Sequence, residues 1–303
     1  MTKNILIIGG TGFLGYHLAK KCSKNYNVTS LSLNKPSKEM RLKNVKYFIG
    51  DISKRNMLKD KIKKNFNIIV NLGGYINHKN KKLALDTHYR GCKNLVDFFL
   101  KKDIELFVQI GSSTEYGKQK SPNVESIGGN PSTIYAQSKL KATKLLQNLK
   151  SNSKSFPFVI LRFYQVYGPN QNYDRLIPMV IKSSLANEKF NCSSGIQGKD
   201  FLYVDDAINA ILKSFNNKNV LNKIINIGSG KKVKVKNLIK RIVKKIKLGK
   251  PLFGVLKMRS DEPKDSYPSI KRAKKLLNWE PKLSLDKGLS KTINYYKVKK
   301  DEL

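Results

Sequence analysis

Apolar residues in the first half of the chain form short continuous runs, separated by lysine-rich segments with the apolar period of a helix. Continuous apolar runs are typical of strands in a parallel sheet, because helices cover both of its faces. Right-handed crossovers between such strands produce a doubly wound sheet. The pattern predicts an α/β fold whose parallel strands are ILII (5–8), VTSLSL (28–33), VKYFIG (45–50), IIVNLGG (68–74), LFVQIGS (106–112) and FVILRF (158–163).

The pattern changes after about residue 165, where strand-like runs become sparse and loops rich in Gly, Asn and Lys follow. We therefore expect two domains. Residues 1–164 would form the doubly wound domain, and residues 165–303 a smaller α/β domain. The stretch near 203–215 has acidic residues where a helix would begin, and we expect this helix to return to the first domain.

The formal net charge of +39 comes from basic residues dispersed along the whole chain. No basic segment is interleaved with aromatic residues, so we expect no nucleic-acid partner, although the charge would help to attract a phosphorylated substrate. No apolar run is long enough for a membrane span, so we expect no membrane insertion. Cys22, Cys92 and Cys192 form neither a disulfide framework nor a metal-ligand pattern, which favours a cytoplasmic protein without a metal.

The segment GGTGFLG (9–15) directly follows the first strand and opens a helix. Gly9, Gly12 and Gly15 would allow a tight turn and the close approach of a pyrophosphate, which the helix N-terminus would bind. Phe13 and Leu14 complete this predicted cofactor-binding segment. Because a strand precedes the glycines and a helix follows them, the motif is a strong indication of dinucleotide binding. Residues 1–164 are therefore the predicted NAD(P)-binding Rossmann domain, and residues 165–303 the predicted substrate-binding domain.

A carboxylate at the end of the second strand would bind the ribose of NAD and repel a 2′-phosphate. Ser32 occupies that position here, and Lys35 follows it. This favours NADP(H) over NAD(H). Asp51 and Ile52, after the third strand, are placed to meet the adenine, although Asp51 is also suited to cap a helix. Leu72, after the fourth strand, completes the predicted cofactor contacts.

The fifth strand ends in Ser112, at the sheet edge where ligands bind in such folds. Tyr135 and Lys139 follow in IYAQSK, and their i,i+4 spacing places them on one face of a helix. A neighbouring ammonium favours the phenolate and brings a phenol closer to a working acid or base. We therefore identify Ser112, Tyr135 and Lys139 as candidate catalytic residues, with Lys139 also able to bind the ribose.

Five further segments carry a family resemblance: GSSTEYG, PNVESIGGNPSTIYAQSK, RFYQVYGPNQ, GKDFLYVDDAINAI and INIGSG. In these segments the chain resembles the extended short-chain dehydrogenase/reductases that act on nucleotide sugars. The resemblance covers nearly the whole chain and implies that Ser112, Tyr135 and Lys139 are the catalytic set. His88 stands where the family usually has an Asn that orders a proton relay, and Cys92 stands where it has a Thr. We also expect a homodimer.

The substrate candidates lie mainly in the second half of the chain. Ser113 follows the catalytic serine, and Gln165 replaces a family Asn that contacts substrate. Arg175 and Arg259 are candidates for the nucleotide diphosphate, because a planar guanidinium binds two oxygens at once. The family's Arg before Asp-Phe is Lys199 here, and Trp279 is predicted to lie in the core.

Three reactions share this scaffold. Dehydratases of the family place acids just after the catalytic Ser or Thr, and Ser113 and Thr114 cannot do that work. The strand end resembles that of GDP-deoxyhexulose reductases and CDP-abequose synthases, so we expect reduction of a 4-keto-6-deoxy nucleotide sugar. An NAD-dependent 4-epimerase is the close alternative. A dinucleotide-sensing regulator without turnover is a further alternative, against which the intact catalytic set argues.

Overall fold

The computed structural model describes residues 2–75, 80–151, 156–259 and 261–301. Within them the backbone forms fourteen strands and ten α-helices. The strands are β1 (Asn4–Ile8), β2 (Asn27–Ser32), β3 (Val45–Ile49), β4 (Ile68–Asn71), β5 (Leu106–Ser112), β6 (Phe158–Phe163), β7 (Gln165–Tyr167), β8 (Lys189–Cys192), β9 (Gly198–Lys199), β10 (Phe201–Tyr203), β11 (Lys223–Ile227), β12 (Val233–Lys234), β13 (Lys250–Phe253) and β14 (Asp265–Ser266). The helices are α1 (Phe13–Cys22), α2 (Arg55–Lys61), α3 (Lys81–Leu85), α4 (Gly91–Phe99), α5 (Ile134–Ser151), α6 (Leu176–Leu185), α7 (Val204–Ser214), α8 (Val235–Ile246), α9 (Lys271–Leu277) and α10 (Leu285–Asp301).

The largest sheet in the described part of the chain has seven parallel strands in the order β11-β6-β5-β4-β1-β2-β3. Strand β1 lies inside this sheet and pairs with β2 on one side and β4 on the other, so that Ile5 lies beside both Val28 and Ile68. The chain starts at β1, builds outwards through β2 to β3, and then continues on the other side of β1 from β4 to β11. This order confirms the predicted doubly wound Rossmann-type sheet, including all six strands expected from the apolar runs.

Two apolar cores cover the two faces of this sheet, because successive side chains of a strand point to opposite sides. Ile5 and Ile7 pack in the core that includes α1, α6, α7 and α8. Leu6 and Ile8 pack in the other core, with α2, α4 and α5. Every residue of β1 after Asn4 is therefore buried, which explains why its sequence has a continuous apolar run.

After β6 the chain forms three smaller sheets, in which β10 pairs with β7, β9 lies between β12 and β14, and β13 pairs with β8. Between β10 and β12 the chain returns to the large sheet. α7 packs against α1, and β11 lies parallel to β6 at the sheet edge. The division of the chain into domains at residue 164 stays a prediction.

The C-terminal segment is fastened to α7 through Asp206. The Asp206 carboxylate accepts hydrogen bonds from the backbone N–H of Lys282 at 3.1 Å and of Leu283 at 2.9 Å. Trp279 is buried, as predicted, and its indole N–H donates to the Asp206 carbonyl at 3.1 Å. Across the described residues, every helix is too short or too polar to span a membrane.

Candidate active site

A cavity of about 1160 Å³ lies at the C-terminal edge of the large sheet and extends to the smaller sheets. It brings together side chains that the sequence scatters over more than 200 positions. The predicted site residues that line it are Gly9, Gly12, Phe13, Leu14, Gly15, Ser32, Lys35, Asp51, Ile52, Leu72, Ser112, Ser113, Tyr135, Lys139, Gln165, Arg175 and Arg259.

The turn between β1 and α1 has the geometry of a phosphate-binding loop. Gly9 has a φ of +76°, in the left-handed region that favours glycine. A Cβ on Gly15 would lie 2.1 Å from the Gly9 carbonyl oxygen, so only glycine lets the helix pack this closely on the turn. Gly12 has a φ of −79°, which suits any residue, and among the described atoms a Cβ there would meet only the Gly9 carbonyl, at 3.3 Å. The space beside Gly12 is therefore open towards the cavity.

Ser32, at the end of β2, belongs to the wall of the glycine turn. Its Oγ accepts a hydrogen bond from the Thr11 N–H at 3.2 Å and lies 3.3 Å from the Ser30 Oγ. Ser32 is almost fully buried, whereas Lys35 is exposed on the loop that follows. This part of the wall thus presents a hydroxyl and an ammonium to the cavity.

Asp51, Ile52 and Leu72 line the end of the cavity where the adenine was expected. Asp51 accepts hydrogen bonds from the backbone N–H of Ser53 at 2.9 Å and from its hydroxyl at 2.7 Å. It therefore shapes the turn before α2, whose N-cap is Lys54. The expectation that Asp51 caps a helix was wrong, because the chain makes this additional turn before the helix begins.

Ser112 ends β5, and a 3₁₀ turn follows at Ser113–Tyr116. The Ser112 Oγ lies 2.9 Å from the Thr114 Oγ1. Glu115 lies in this turn, where the alternation of a strand no longer sets the direction of the side chains. Glu115 is fully buried, and the cavity lining within the described residues does not include it.

Tyr135 and Lys139 lie one turn apart near the start of α5, and both line the cavity. Burial raises the pKa of the Tyr135 hydroxyl above its ordinary value, against the opposing effect of the neighbouring Ser112 side chain. Lys139 is 7% exposed, and its Nζ donates to the Ile110 carbonyl at 2.8 Å. Burial lowers the pKa of Lys139 to about 8, against the opposing effect of the Glu115 carboxylate. Near neutral pH the phenol and the amine therefore both hold their protons.

His88 packs directly against the Tyr135 ring. The two rings meet edge to face, with centroids 4.9 Å apart. His88 lies in a π-helical segment, Asp86–Arg90, and its Nε2 is 3.0 Å from the Tyr75 carbonyl oxygen. Such local distortions of a helix are frequent at functional sites. Cys92 is buried in the adjoining helix, with its Sγ 3.2 Å from the Gln109 Oε1.

Basic side chains line the opposite end of the cavity, and each lies beside a carboxylate. Arg259 donates to both Asp261 carboxylate oxygens, at 3.0 and 2.6 Å. The Lys199 Nζ lies 3.0 Å from the Glu262 Oε1. Arg175 lies at the N-cap of α6, with its Nε 3.7 Å from the Asp174 carboxylate. An anionic ligand at this end would therefore compete with these carboxylates for the same cations.

Sequence reasoning did not identify several residues of the wall. Tyr173, Tyr296 and Lys299 line the cavity, and the last two come from α10, near the C-terminus. The Tyr296 hydroxyl donates to the Gln171 carbonyl, which fixes α10 against the loop after β7. The helical period of α10 predicts a helix, but it gives no signal that one end reaches the cavity.

Known proteins resemble this chain in sequence. The model of the NAD dependent epimerase/dehydratase family matches residues 5–228. UDP-glucuronate 4-epimerase from Thermodesulfobacterium geofontis is 26% identical over 96% of this chain and 95% of its own length. The dTDP-D-glucose 4,6-dehydratase of Mus musculus is 27% identical over 97% of this chain and 89% of its own length.

Solved structures resemble it in fold. UDP-glucose 4-epimerase from Thermotoga maritima, solved with UDP-glucose, matches with a TM-score of 0.91 at 23% identity, over 98% of this chain and 99% of that one. UDP-glucuronic acid 4-epimerase from Bacillus cereus, solved with UDP-glucuronic acid and NAD, matches with a TM-score of 0.87 at 25% identity, over 97% and 99%. The family match confirms the resemblance drawn from the motifs, and the chain belongs to the NAD-dependent epimerase/dehydratase family.

Proposed function

We propose that this protein is an NAD(P)-dependent oxidoreductase that reduces a 4-keto-6-deoxy nucleotide sugar, with Tyr135 as the proton donor. One observation carries the proposal. Ser112 and Tyr135 both line the cavity, and Lys139 lies one turn further along the same helix face. The glycine turn and the basic residues Arg175 and Arg259 line the same cavity.

The cavity fits a dinucleotide at its glycine end. The open space beside Gly12 suits a pyrophosphate, and the N-terminus of α1 supplies backbone amides there. Asp51 and Ile52 would hold the adenine, and Lys139 the ribose nearer to Ser112. A nicotinamide dinucleotide bound in this way would supply the hydride.

The protonation state of Tyr135 supports the reductive direction. Reduction of a ketone needs a proton for the new alkoxide, and burial keeps the phenol protonated in the free protein. Ser112 would donate a hydrogen bond to the substrate oxygen while Tyr135 transfers its proton to the same atom. The charged Lys139 would stabilise the phenolate that remains.

The wall at Ser32 supports NADP(H) as the cofactor. Its hydroxyl and the ammonium of Lys35 would form charge-assisted hydrogen bonds with a 2′-phosphate. We expect NADPH to bind more tightly than NADH by about one to three kcal/mol if two such bonds form. Ser32→Asp would reverse this order, because it places a carboxylate against the phosphate.

The second candidate is NAD-dependent 4-epimerisation of a nucleotide sugar. It is favoured by the relatives, since proteins named as 4-epimerases match this chain over nearly its full length in sequence and in fold. Dehydration has less support, because the two residues after Ser112 are Ser113 and Thr114. Neither side chain is able to protonate a leaving hydroxyl and abstract a neighbouring proton.

Measurements on one preparation of the purified protein distinguish reduction from epimerisation. The bound nucleotide would be extracted from the purified protein, and the emptied protein titrated with NADPH and NADH. It would then be incubated with a panel of nucleotide 4-keto-6-deoxy sugars while NADPH absorbance is recorded. Reduction predicts consumption of NADPH with at least one sugar. Tightly held NAD, no preference for NADPH and no net consumption would assign epimerisation instead.

Tyr135→Phe tests the catalytic set itself. The variant loses the proton donor and little volume, so we expect the rate to fall by at least roughly a hundredfold, as is typical for general acids. Tyr16→Phe is the matched control, because Tyr16 is not among the described residues that line the cavity. A Tyr135→Phe enzyme with a nearly unchanged rate would exclude the proposed mechanism.

A further inference from the structure

A buried ion pair lies beside the predicted catalytic serine. Glu115 is fully buried, and Arg162, on β6, is 4% exposed. The Glu115 Oε2 accepts from the Arg162 Nε at 3.0 Å and lies 3.0 Å from a second guanidinium nitrogen. The Arg162 guanidinium also lies 4.7 Å from the centroid of the Tyr116 ring, which holds it from the other side.

Stability alone does not account for this pair. Removing two charges from water costs several kcal/mol per ion, and apolar residues of similar volume often serve a core as well or better. A buried pair is therefore weak evidence of a stabilising device. Its remaining contacts indicate a different role.

The same carboxylate holds both halves of the candidate catalytic set. Its Oε1 accepts from the backbone N–H of Ser112 at 2.8 Å, at the end of β5. Its Oε2 accepts from the Thr143 hydroxyl at 2.7 Å, on α5. Thr143 is one turn beyond Lys139 and two turns beyond Tyr135, on the same face of the helix. Glu115 is therefore a clamp between the strand that ends in Ser112 and the helix that carries Tyr135 and Lys139.

The carboxylate also contributes charge. Burial lowers the pKa of the Lys139 amine. The charge of Glu115 is the largest effect that raises this pKa, and the next is that of Cys92. The charge of Arg175 favours ionisation of the Tyr135 phenol, and the charge of Glu115 opposes it. His88 faces the Tyr135 ring, and Arg162 balances the charge of Glu115.

We propose that Glu115 is a positioning residue for the reaction: it fixes the separation between Ser112 and the Tyr135–Lys139 face of α5. The inference rests on the proposed function, because it takes Ser112, Tyr135 and Lys139 as the reacting set. It adds a residue that does not touch the substrate and acts only through these three.

Glu115→Gln tests the charge while keeping the shape and one acceptor. We expect kcat to fall roughly tenfold to a hundredfold, because a small misplacement of reacting groups slows a reaction by about this factor. KM for the sugar should change much less. The high-pH limb of the rate profile should move to lower pH, because Lys139 loses its anionic neighbour. Glu105→Gln is the matched control. Glu105 is exposed, directly precedes the first residue of β5 and pairs with Lys3. Its replacement by Gln should therefore change neither kcat nor the pH profile.

Thr143→Val provides a second variant if Glu115→Gln does not fold. It removes one hydrogen bond of the clamp and keeps the charge, so kcat should fall while the pH limb stays in place. A folded Glu115→Gln protein with wild-type kcat and pH profile would overturn the proposal. Wild-type kcat in Thr143→Val would overturn the clamp.

A measurement without turnover separates this inference from the proposed function. The rate at which acetic anhydride acetylates Lys139, followed by mass spectrometry across a pH series, reports the pKa of its amine. Glu115→Gln should lower this pKa even if the reaction proposed for the protein is wrong. An unchanged acetylation profile would refute the charge effect, whereas a fully active Tyr135→Phe enzyme would refute only the catalytic assignment.

Discussion

Lys139→Met should make the protein more stable and inactive. Lys139 is 7% exposed, and burial lowers the pKa of its amine from 10.5 to about 8. The unfolded chain therefore binds the proton more tightly than the folded protein does. At about 1.4 kcal/mol per pKa unit, keeping the charged amine buried at neutral pH costs about 3 kcal/mol.

Methionine has a similar length and no charge, so the variant escapes this cost. It also loses the hydrogen bond from the amine to the Ile110 carbonyl, which is 2.8 Å long. That carbonyl keeps a bond from the Gln109 Nε2 at 3.2 Å, so the loss should be no more than about 1 kcal/mol. The net expected gain in unfolding free energy near pH 7 is about 2 kcal/mol.

The pH dependence identifies the cause. Below about pH 8 the amine of Lys139 is charged in both states and the full cost is present. As the pH rises from about 8 towards 10.5, the folded protein releases the proton first, so the wild type gains stability and the advantage of the variant shrinks. Other titrating groups are shared by both proteins and cancel in the difference.

Urea unfolding of the wild type and the variant near pH 7 and near pH 10 measures this difference. Lys141→Met is the matched control, because Lys141 is exposed on the same helix and should show neither the gain nor the pH dependence. A Lys139→Met protein that is less stable than the wild type near pH 7 would refute the reasoning. A stability difference independent of pH would do the same.

Gly15→Ala should destabilise the glycine turn and abolish dinucleotide binding, because the new methyl group would lie 2.1 Å from the Gly9 carbonyl oxygen. In Gly12→Ala the new methyl group would lie 3.3 Å from that oxygen and point to the cavity, so the variant should fold with a nearly unchanged Tm but bind NADPH more weakly. Calorimetry and a thermal melt of both variants check this contrast, and equal behaviour of the two variants would contradict it. Asp206→Asn should cost about 1–3 kcal/mol in a urea melt, because its carboxylate accepts two backbone N–H groups of the C-terminal segment. An unchanged melt would mean that these bonds do not fasten α7 to that segment.

Much of the large sheet is encoded locally. Six of its strands coincide with the predicted runs, which are largely apolar because helices cover both faces of the sheet. The seventh strand, β11, was not predicted from its five residues. It becomes a strand through pairing with β6, more than 60 residues earlier, and such non-local pairing leaves little trace in a short run.

The smaller sheets were difficult to predict for the same reason. β9, β12 and β14 have two residues each and depend on partners far away in sequence. The arrival of Lys299 and Tyr296 at the cavity likewise depends on how α10 packs, which its amphipathic pattern does not specify.

The sequence by itself determined the parallel sheet, the glycine turn and the spacing of Tyr135 and Lys139, because each depends on residues close together in the chain. Tertiary structure alone decided the surroundings of these groups. It buried the Lys139 amine, replaced strand alternation by a turn after Ser112, and placed Glu115 between β5 and α5. Desolvation and charge act through space, so the pKa values of the site follow from packing and not from order along the chain.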